Sequence, residues 1–336
     1  MNSQERVFAT LEGKIPDRVP VLPQVGDHAG FLCGLTFDVM YKDAKKAAEA
    51  HLAALRRYQY DIVTIQVEPS WPMVEACGGE IYYPPDKCPW ITRNPIAGED
   101  DVDKLKIPDF AIAPGSRIMV EGTRLLAAGT DVPVAAFVTG PFTFAMQLYP
   151  YNEFIKRVYK KDFVHALLQK STQVVKEYAA ALKEAGASLL VICEHDLQIY
   201  PPWVMEEYLL PYLSQVLIYD YNILHMCGNV DRHLEAHGQK LATMAKLQMI
   251  SVGHHVDLMK FKKLFAGQLG FAGNLDHIVF LPQASPEEVF MKCGEILVAA
   301  KEGGRFMLAP GCELTVDIPP ANVEAIVNAA KEYGQY

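Results

Sequence analysis

Short apolar runs alternate with longer amphipathic stretches along the whole chain. Some runs are apolar at every position, as in Leu189-Leu190-Val191-Ile192, which is typical of strands buried on both faces of a parallel sheet. Eight runs are present, at residues 19–22, 61–66, 132–139, 188–193, 222–227, 247–252, 269–272 and 305–309. Eight strands separated by helices predict an α/β fold of the (β/α)8 TIM-barrel type. An open, doubly wound sheet is the rival architecture, but no glycine-rich phosphate-binding loop follows the first run.

The amphipathic stretches carry helix signals. Residues 163–185 place apolar side chains at helical spacing on one face, and Gly186 follows as a C-terminal cap. Ser285 predicts the start of another helix, because its hydroxyl can accept from a free backbone N–H of the first turn. Pro211 interrupts the helical pattern of residues 203–217, where we expect a kink or a break.

The alternation is broken once, between residues 71 and 118. This stretch contains the turn sequences Gly78-Gly79 and Pro84-Pro85, which predict an insertion of loops and a small hairpin after the second strand. No linker divides the rest of the chain. We therefore expect residues 1–336 to form a single barrel domain.

Composition narrows the class of protein. Of 336 residues, 50% are hydrophobic and 21% are charged, as in an ordinary globular protein. The formal net charge of −9 argues against broad binding of nucleic acid, which needs clustered Lys and Arg. No apolar run approaches the roughly 20 residues of a membrane span, and the first residues do not resemble a signal peptide. We expect a cytoplasmic protein without membrane contact; the oligomeric state is left open, with a homo-oligomer as one option.

Candidate chemistry lies at the predicted strand ends, because the catalytic groups of a barrel follow the C-terminal ends of its strands. Most metal-capable side chains of the C-terminal half occupy such positions. The sequences there are Cys193-Glu194-His195-Asp196, His225-Met226-Cys227-Gly228-Asn229, Gly253-His254-His255, Gly273-Asn274-Leu275-Asp276-His277 and Pro310-Gly311-Cys312-Glu313. Their concentration at one end of the barrel is more informative than any single residue.

Three of these residues form a candidate metal site. His225 and Cys227 are two positions apart at a strand end, so their side chains point the same way, and Cys312 ends the eighth run. One histidine and two cysteines favour Zn²⁺, and three protein ligands leave a position for water or substrate, as in catalytic sites. The alternative is that all three are core residues, with His225 satisfied by a hydrogen bond.

Two further residues are candidates for catalysis. Glu194 follows the fourth run, where its carboxylate is the first choice for an additional metal ligand or an acid–base group. The alternative is that Glu194 caps the next helix along the chain. His254 follows the sixth run and, like His195, Asp196 and His255, could hold orienting hydrogen bonds around the metal. Solvated loop positions are the alternative for these residues.

Motifs spread over nearly the whole chain resemble those of one known family. They are Glu5-Arg6-Val7-Phe8-Ala9-Thr10-Leu11-Glu12-Gly13, Pro16-Asp17-Arg18-Val19-Pro20-Val21, Thr139-Gly140-Pro141-Phe142, Glu207-Tyr208 with Leu210-Pro211-Tyr212, His225-Met226-Cys227-Gly228-Asn229, Gly273-Asn274-Leu275-Asp276 and Pro310-Gly311-Cys312-Glu313. Together they resemble the uroporphyrinogen decarboxylase superfamily, and most closely its methylcobamide-dependent methyltransferase branch. The resemblance implies a (β/α)8 barrel in which His225, Cys227 and Cys312 are zinc ligands.

The resemblance also implies an activity: transfer of a methyl group between a small molecule and the cobalt of a corrinoid (cobalamin) carried by a partner protein. A methyl ether such as a methoxylated aromatic is the preferred substrate, with zinc as a Lewis acid on the ether oxygen. A thiol acceptor of the coenzyme M type is the alternative. A metal-free, decarboxylase-like enzyme is a second alternative, disfavoured because residues 23–30 contain no arginine to pair with carboxylates. A non-catalytic barrel with a structural zinc is a third.

The segment after the third run favours the ether. A sulfonated thiol needs a nearby cation, and Arg232 is the one obvious candidate close to the zinc motif. An aromatic pocket lining without positive charge is predicted from Phe142, Phe144, Met146, Tyr149 and Tyr151. The alternative is that these side chains pack the top of the barrel.

The five remaining cysteines are not predicted ligands. A disulfide framework is not expected, because the total of seven is odd and no Cys-x-x-Cys sequence occurs. Cys193 is kept as a minor candidate because it adjoins Glu194. Packing is the expected role of Cys33, Cys77, Cys88 and Cys293.

Overall fold

A parallel sheet forms the wall of a barrel in the computed structural model, which describes residues 1–336. The strands, in chain order, are β1 (Glu80–Tyr82), β2 (Trp90–Arg93), β3 (Ala135–Thr139), β4 (Leu189–Cys193), β5 (Asn222–Met226), β6 (Leu247–Val252), β7 (Gly270–Leu275) and β8 (Phe306–Pro310). Strands β3 to β8 pair in sequence order and in parallel, while β1 and β2 form a separate antiparallel hairpin. Nearly every residue of β3–β8 is buried, as expected for strands covered on both faces.

Two short segments close the barrel between β8 and β3. Val21 forms a parallel bridge with Leu308 of β8, and Val63 forms one with Val134, just before β3. The backbone N–H of Asp61 donates to the carbonyl of Val21 at 3.2 Å, so the two segments also contact each other. The barrel wall therefore has eight parallel segments, which we term staves. The segments around Val21 and Val63 are the first and second staves, and β3–β8 are the third to the eighth.

The predicted first and second strands are thus single bridges and not full strands. Pro20 and Pro23 have no N–H to donate to a neighbouring strand. The N–H of Val21 donates to the Asp61 side chain at 2.9 Å instead of to a backbone carbonyl. The first two staves consequently lack a continuous ladder, although they occupy the places that the sequence predicts.

The helices cover the outside of this wall. They are α1 (Ser3–Leu11), α2 (His28–Leu32), α3 (Phe37–Lys42), α4 (Ala44–Tyr58), α5 (Ser70–Ala76), α6 (Ser116–Gly129), α7 (Pro141–Leu148), α8 (Tyr151–Arg157), α9 (Lys161–Glu184), α10 (Pro202–Val204), α11 (Leu210–Val216), α12 (Asp231–Ala242), α13 (Leu258–Leu264), α14 (Phe280–Gln283), α15 (Pro286–Ala300) and α16 (Pro320–Tyr333), with short 3₁₀ turns at Glu99–Asp101 and Leu197–Ile199. None of them is long and apolar enough to cross a membrane.

Local signals in the sequence locate several helix ends correctly. Helix α9 ends one residue before Ala185, and Gly186 then takes a φ of 110°, which a residue without Cβ adopts at little cost. Ser285 and Glu288 form the reciprocal capping box of α15. The predicted break at Pro211 is instead a π-helical turn at Met205–Leu209, which lets the helical segment continue past the missing proline N–H.

The interruption at residues 71–118 contains α5, the β1–β2 hairpin and the turn Glu99–Asp101. Pro84 and Pro85 lie in the loop between the hairpin strands. The carbonyl of Pro85 accepts from the N–H of Phe37 at 3.2 Å, which ties the hairpin loop to the start of α3. This hairpin consequently lies next to the loops of the first two staves.

The barrel interior is filled, and one end is closed. Its apolar side chains, among them Phe137, Val191 and Met307, form a cluster with Val7 and Leu11 of α1. Helix α1 therefore covers the N-terminal end of the barrel. Access to the interior is from the other end, where the strands terminate.

Candidate metal centre and adjoining cavities

His225, Cys227 and Cys312 meet at the open end of the barrel. Their ligand atoms all lie within 4.8 Å of one another. His225 is on β5, Cys227 follows that strand, and Cys312 follows β8. Alternation of side chains along a strand aims residues 225 and 227 in the same direction, as their spacing predicts.

The His225 ring is held with one nitrogen free. Its Nδ1 lies 2.9 Å from the Ser251 hydroxyl of β6, whereas its Nε2 is buried and has no hydrogen-bond partner. An unpaired imidazole nitrogen beside two thiols is a donor set that fits coordination of a metal ion. The neighbouring Cys227 thiol and then burial raise the pKa of Cys312 well above its usual value, and the His225 ring offsets this only in part.

Glycines bring the surrounding loops close enough to form this centre. A Cβ on Gly253 would lie 2.5 Å from the backbone nitrogen of Gly228, and one on Gly311 would lie 2.6 Å from that of His254. Both distances are below any real Cβ contact. The loops after β5, β6 and β8 therefore pack backbone against backbone around the three ligands.

Two cavities open beside the centre. The first, termed the ligand cavity, has a volume of about 300 Å³ and is lined by Val67, Glu68, Cys193, His195, Asp196, Gln198, His225, Cys227, Cys312 and Glu313. The second, termed the side recess, also has a volume of about 300 Å³ and is lined by Asp27, Phe37, Trp71, Cys88, His277, Ile278, Cys312, Glu313, Leu314, Thr315 and Val316. The two share Cys312 and Glu313, so the recess adjoins the candidate metal centre.

Four carboxylates line the two cavities, and three of them have no role predicted from the sequence. Asp27, Glu68 and Glu313 line the cavities together with Asp196, and no lysine or arginine does. The N–H of Asp27 donates to Glu313 Oε1 at 2.8 Å, which joins the loops after the first and eighth staves. Burial, with the charge of Glu68, raises the pKa of Asp27 to about 7. Their positions just after staves one, two and eight were the signal that could have identified these residues.

Glu194 lies at the N-terminus of α7. Its carboxylate is fully buried and accepts from the backbone N–H groups of Phe142 and Thr143 at 3.0 and 2.8 Å. Burial raises its pKa to about 7 despite these bonds. The group of ligand atoms around His225 does not include Glu194. The helix-cap alternative is the one that the geometry supports, on the helix after β3 rather than the next one along the chain.

His254 lies on the rim of the opening. Its Nε2 is 3.9 Å from Asp276 Oδ1, and its ring centroid is 3.9 Å from that of His255. Burial lowers its pKa. Neither His254 nor His255 lines the two cavities. His195 and Asp196 do line the ligand cavity, where His195 Nε2 lies 3.5 Å from Asp196 Oδ2. Burial disfavours the charged form of His195, but Glu68 and Asp196 outweigh it and raise its pKa.

The predicted aromatic lining after the third strand is wrong. Phe142, Phe144, Met146 and Tyr149 are buried in the core, where Phe142 packs edge-on against Phe154 and Tyr200. These side chains belong to the packing of α7, which is apolar on nearly all sides. Only Tyr151 is exposed, and its hydroxyl donates to Asp196 at 3.2 Å.

Arg232 is not available to a ligand in either cavity. Its guanidinium donates to the carbonyls of Gln198 and Tyr200 at 3.1 and 2.9 Å, which fixes the loop after β4. The expectation that Cys33 and Cys88 are packing residues is also wrong, since both are exposed. Cys193 is buried and lines the ligand cavity.

Curated relatives match most of the chain. The methylcobamide:CoM methyltransferase MtbA of Methanosarcina mazei is 24% identical over 351 residues and covers 98% of each chain. The corresponding enzyme MtaA of Methanosarcina barkeri is 26% identical over 353 residues, covering 98% of this chain and 97% of the relative. A uroporphyrinogen decarboxylase of Coxiella burnetii is 25% identical over 312 residues, covering 88% and 84%.

Solved structures share the fold. A methyltransferase from Methanosarcina mazei superposes with a TM-score of 0.88 at 24% identity, covering 99% of both chains. A B12-independent methionine synthase from Shewanella sp. W3-18-1 superposes with a TM-score of 0.54 at 13% identity, covering 94% and 95%. The sequence model of the family described as uroporphyrinogen decarboxylase (URO-D) matches residues 2–333. The chain therefore belongs to the uroporphyrinogen decarboxylase family.

Proposed function

We propose that this protein is a corrinoid-dependent methyltransferase that moves a methyl group between a small molecule and the cobalt of a corrinoid carried by a partner protein. The observation that carries the proposal is the meeting of His225, Cys227 and Cys312, with a free imidazole nitrogen, at the open end of the barrel. The names of relatives such as MtbA and MtaA support the same reaction class.

The donor set fits a zinc ion. An imidazole nitrogen and two thiolates are ligands that Zn²⁺ prefers, and three of them leave one position for a substrate atom. When bound, zinc would supply Lewis-acid activation of an oxygen or sulfur atom at neutral pH. Ser251 would orient the His225 ring from the other side, as hydrogen-bond partners of metal-binding histidines do.

The rest of the site would hold the substrate and admit the partner. The ligand cavity, with a volume of about 300 Å³, would hold the small molecule beside the three ligands, while α1 closes the opposite end of the barrel. The corrinoid would therefore approach over the loops that follow the strands.

A methyl ether is the methyl donor that we favour. The apolar wall of the side recess, formed by Phe37, Trp71, Leu314 and Val316, fits an organic substituent next to Cys312. A thiol acceptor is the second candidate, favoured by the relatives' names. Coenzyme M itself fits poorly, because its sulfonate would face carboxylates without a lysine or arginine.

A decarboxylase function is less well supported. Some relatives are uroporphyrinogen decarboxylases, whose name denotes a carboxylated substrate. Binding of several carboxylates needs arginine pairing, and the walls of both cavities present Asp27, Glu68, Asp196 and Glu313 instead. Repulsion between like charges would oppose such a ligand.

A spectroscopic assay of cobalt tests the proposal. The protein would be incubated with free cob(I)alamin and a methoxyarene, methanol or a methylamine, and the absorbance of the corrinoid would report methylation of the cobalt. In the reverse direction, the protein would be incubated with methylcobalamin and a thiol. We expect methyl transfer by the wild type and a loss of at least about a hundredfold in Cys312→Ala together with its zinc. Cys33→Ala, an exposed cysteine outside both cavities, is the matched control. Full activity of metal-free protein would contradict the proposal.

A further inference from the structure

A third cavity, termed the outer groove, adjoins the side recess. Its volume is about 260 Å³, and Asp27, Phe37 and Val316 line both the groove and the recess. These three residues come from the loop after the first stave, the start of α3 and the loop after β8, so the two cavities meet along a common edge. The groove shares no residue with the ligand cavity. The ligand cavity, the side recess and the outer groove therefore follow one another in that order from the metal centre.

Apolar side chains form most of the walls of the recess and the groove. Those of the recess include Trp71, Leu314 and Val316, and those of the groove include Phe31, Leu35 and Met40. Phe31 lines the groove only and is 56% exposed. Covering exposed apolar surface is favourable, and contiguous apolar surface of this kind marks binding sites. The two cavities therefore offer a surface for an apolar ligand.

The volume of this surface exceeds what the smallest methyl donors fill. The recess alone has about 300 Å³, about ten times the roughly 30 Å³ that a water molecule occupies in the liquid. Methanol, with two non-hydrogen atoms, would leave most of it unfilled. Sites for drug-sized ligands have about 300–1,000 Å³, a range that includes the recess and the groove taken together. The size therefore fits a molecule with an extended body.

The charge of the walls disfavours an anionic body. No lysine or arginine lines the recess or the groove, so a carboxylate or sulfonate there would be left unpaired. The buried carboxyl groups do not call for a cation either. Burial raises the pKa of Asp27 to about 7, and burial with the charge of Asp27 raises that of Glu313 well above its ordinary range. Asp86, the remaining carboxylate of the groove, is exposed to solvent. An uncharged ligand is the one that these walls fit.

We propose that the side recess and the outer groove together bind the uncharged body of the substrate, two linked aromatic rings whose methyl-bearing oxygen lies beside Cys312. The ring next to that oxygen would pack against Trp71 in the recess, and the distal ring would lie against Phe37 and Phe31 in the groove. Aromatic walls favour aromatic ligands, because rings gain from edge-on and offset packing beyond the area that they bury. This inference rests on the proposed function for the identity of the reacting atom, and deepens it by specifying the length and charge of the substrate.

Methyl ethers that differ by one ring or one charge test the inference. The compounds are 4-methoxyphenol, 4-hydroxy-4′-methoxybiphenyl and 4′-methoxybiphenyl-4-carboxylate. Binding to the zinc-loaded protein would be measured by calorimetry without any corrinoid. We expect the neutral biphenyl to bind at least about tenfold more tightly than the phenol, because its second ring buries further apolar area, and at least about tenfold more tightly than the carboxylate. Equal affinities of the phenol and the neutral biphenyl, or tightest binding of the carboxylate, would overturn the inference.

Variants locate the two rings. Phe31 lines the outer groove alone, and Trp71 lines the recess alone. In Phe31→Ser, affinity for the neutral biphenyl should fall about fivefold or more while affinity for the phenol stays within about twofold, and Leu35→Ala in the same groove should repeat this pattern. Trp71→Leu should weaken the binding of both compounds. Leu264→Ser is the control, since Leu264 is also 56% exposed and lines neither cavity.

Two results would contradict the placement of the distal ring in the groove. One is an unchanged affinity for the biphenyl in both groove variants, and the other is an equal loss for the phenol and the biphenyl in groove variants that melt like the wild type. Failure to transfer a methyl group from a biphenyl that binds with the expected pattern would instead count against the proposed function, because these affinities are measured without any transfer.

Discussion

The hydroxyl of Ser251 lies 2.9 Å from Nδ1 of His225, on the strand next to the one that carries the histidine. This contact fixes the plane of the imidazole ring and directs the free Nε2 at the two cysteines. A residue that no cysteine or histidine motif would reveal therefore orients one of the three candidate ligands.

Ser251→Ala should weaken zinc binding by about ten- to a hundredfold, because partners of metal-binding histidines typically contribute that much. The measurement is competition with a chromogenic chelator. Ser214→Ala, which removes an exposed hydroxyl that bonds only within its own helix, should leave the zinc affinity unchanged. An unaltered affinity in Ser251→Ala would refute the orienting role.

Removal of the metal should abolish methyl transfer without unfolding the protein. The barrel is closed by backbone hydrogen bonds such as that from Leu22 N–H to the Leu308 carbonyl at 3.0 Å, which do not involve the three ligands. Treatment with a chelator is therefore expected to leave the far-ultraviolet circular dichroism spectrum intact, and added zinc should restore activity. Cooperative unfolding on chelation would instead identify a structural metal.

Glu194→Gln should flatten the dependence of thermal stability on pH. Burial raises the folded-state pKa of Glu194 to about 7, from an ordinary value of 4.5. The native state then binds more protons than the unfolded state between these values, so the stability contributed by this group is present below pH 4.5 and is lost as pH rises through 7. Melting temperatures measured from pH 5 to 8 should fall less in the variant. Glu121→Gln, on the exposed face of α6, is the control, and an identical slope in Glu194→Gln would count against the buried titration.

Asp61→Asn should destabilise the fold, by about 3 kcal/mol or more, because it removes the buried charge that pairs with two arginines. Asp61 accepts from Arg6 and Arg18 at 2.8 Å and from the N–H of Val21 at 2.9 Å. The free energy of unfolding in urea measures the effect, and Asp131→Asn is the exposed control. A loss below about 1 kcal/mol would show that the first two staves are held by other contacts.

The meeting of His225, Cys227 and Cys312 follows from the sequence because each of them lies at a strand end. His225 and Cys227 need only the alternation of one strand, and Cys312 needs only the closure of the barrel. The carboxylates of the two cavities could not be predicted in this way, because they are brought together by contacts between distant loops. Asp27 and Glu313 are separated by 286 positions, and no periodicity reports that their loops touch. The helix that Glu194 caps was equally hard to predict, because that helix precedes Glu194 by about 50 residues in the sequence.

The aromatic residues after β3 illustrate a further limit. Periodicity cannot distinguish a ring that lines a cavity from one that packs beneath it, because both require the same apolar residue at the same strand end. Phe142 is fully buried. Trp71, at the start of the interruption at residues 71–118, and Phe37, at the start of α3, line the side recess instead. Part of the wall of the side recess therefore comes from residues outside the regular alternation of strands and helices, where the sequence pattern predicts least.

The side recess takes Asp27, Phe37, Trp71 and Cys88 from the N-terminal third of the chain, while the three thiol and imidazole ligands come from the C-terminal third and the stave before it. Part of the recess wall is thereby encoded far from the metal ligands, although His277 and the residues from Cys312 to Val316 complete it from the C-terminal stretch. Point changes or loop exchanges within residues 27–88 could redirect the protein to new substrates while its reactive centre stays constant. A library confined to that stretch would be the economical route to altered specificity, and the same arrangement would allow natural relatives to diversify without losing the ability to transfer a methyl group.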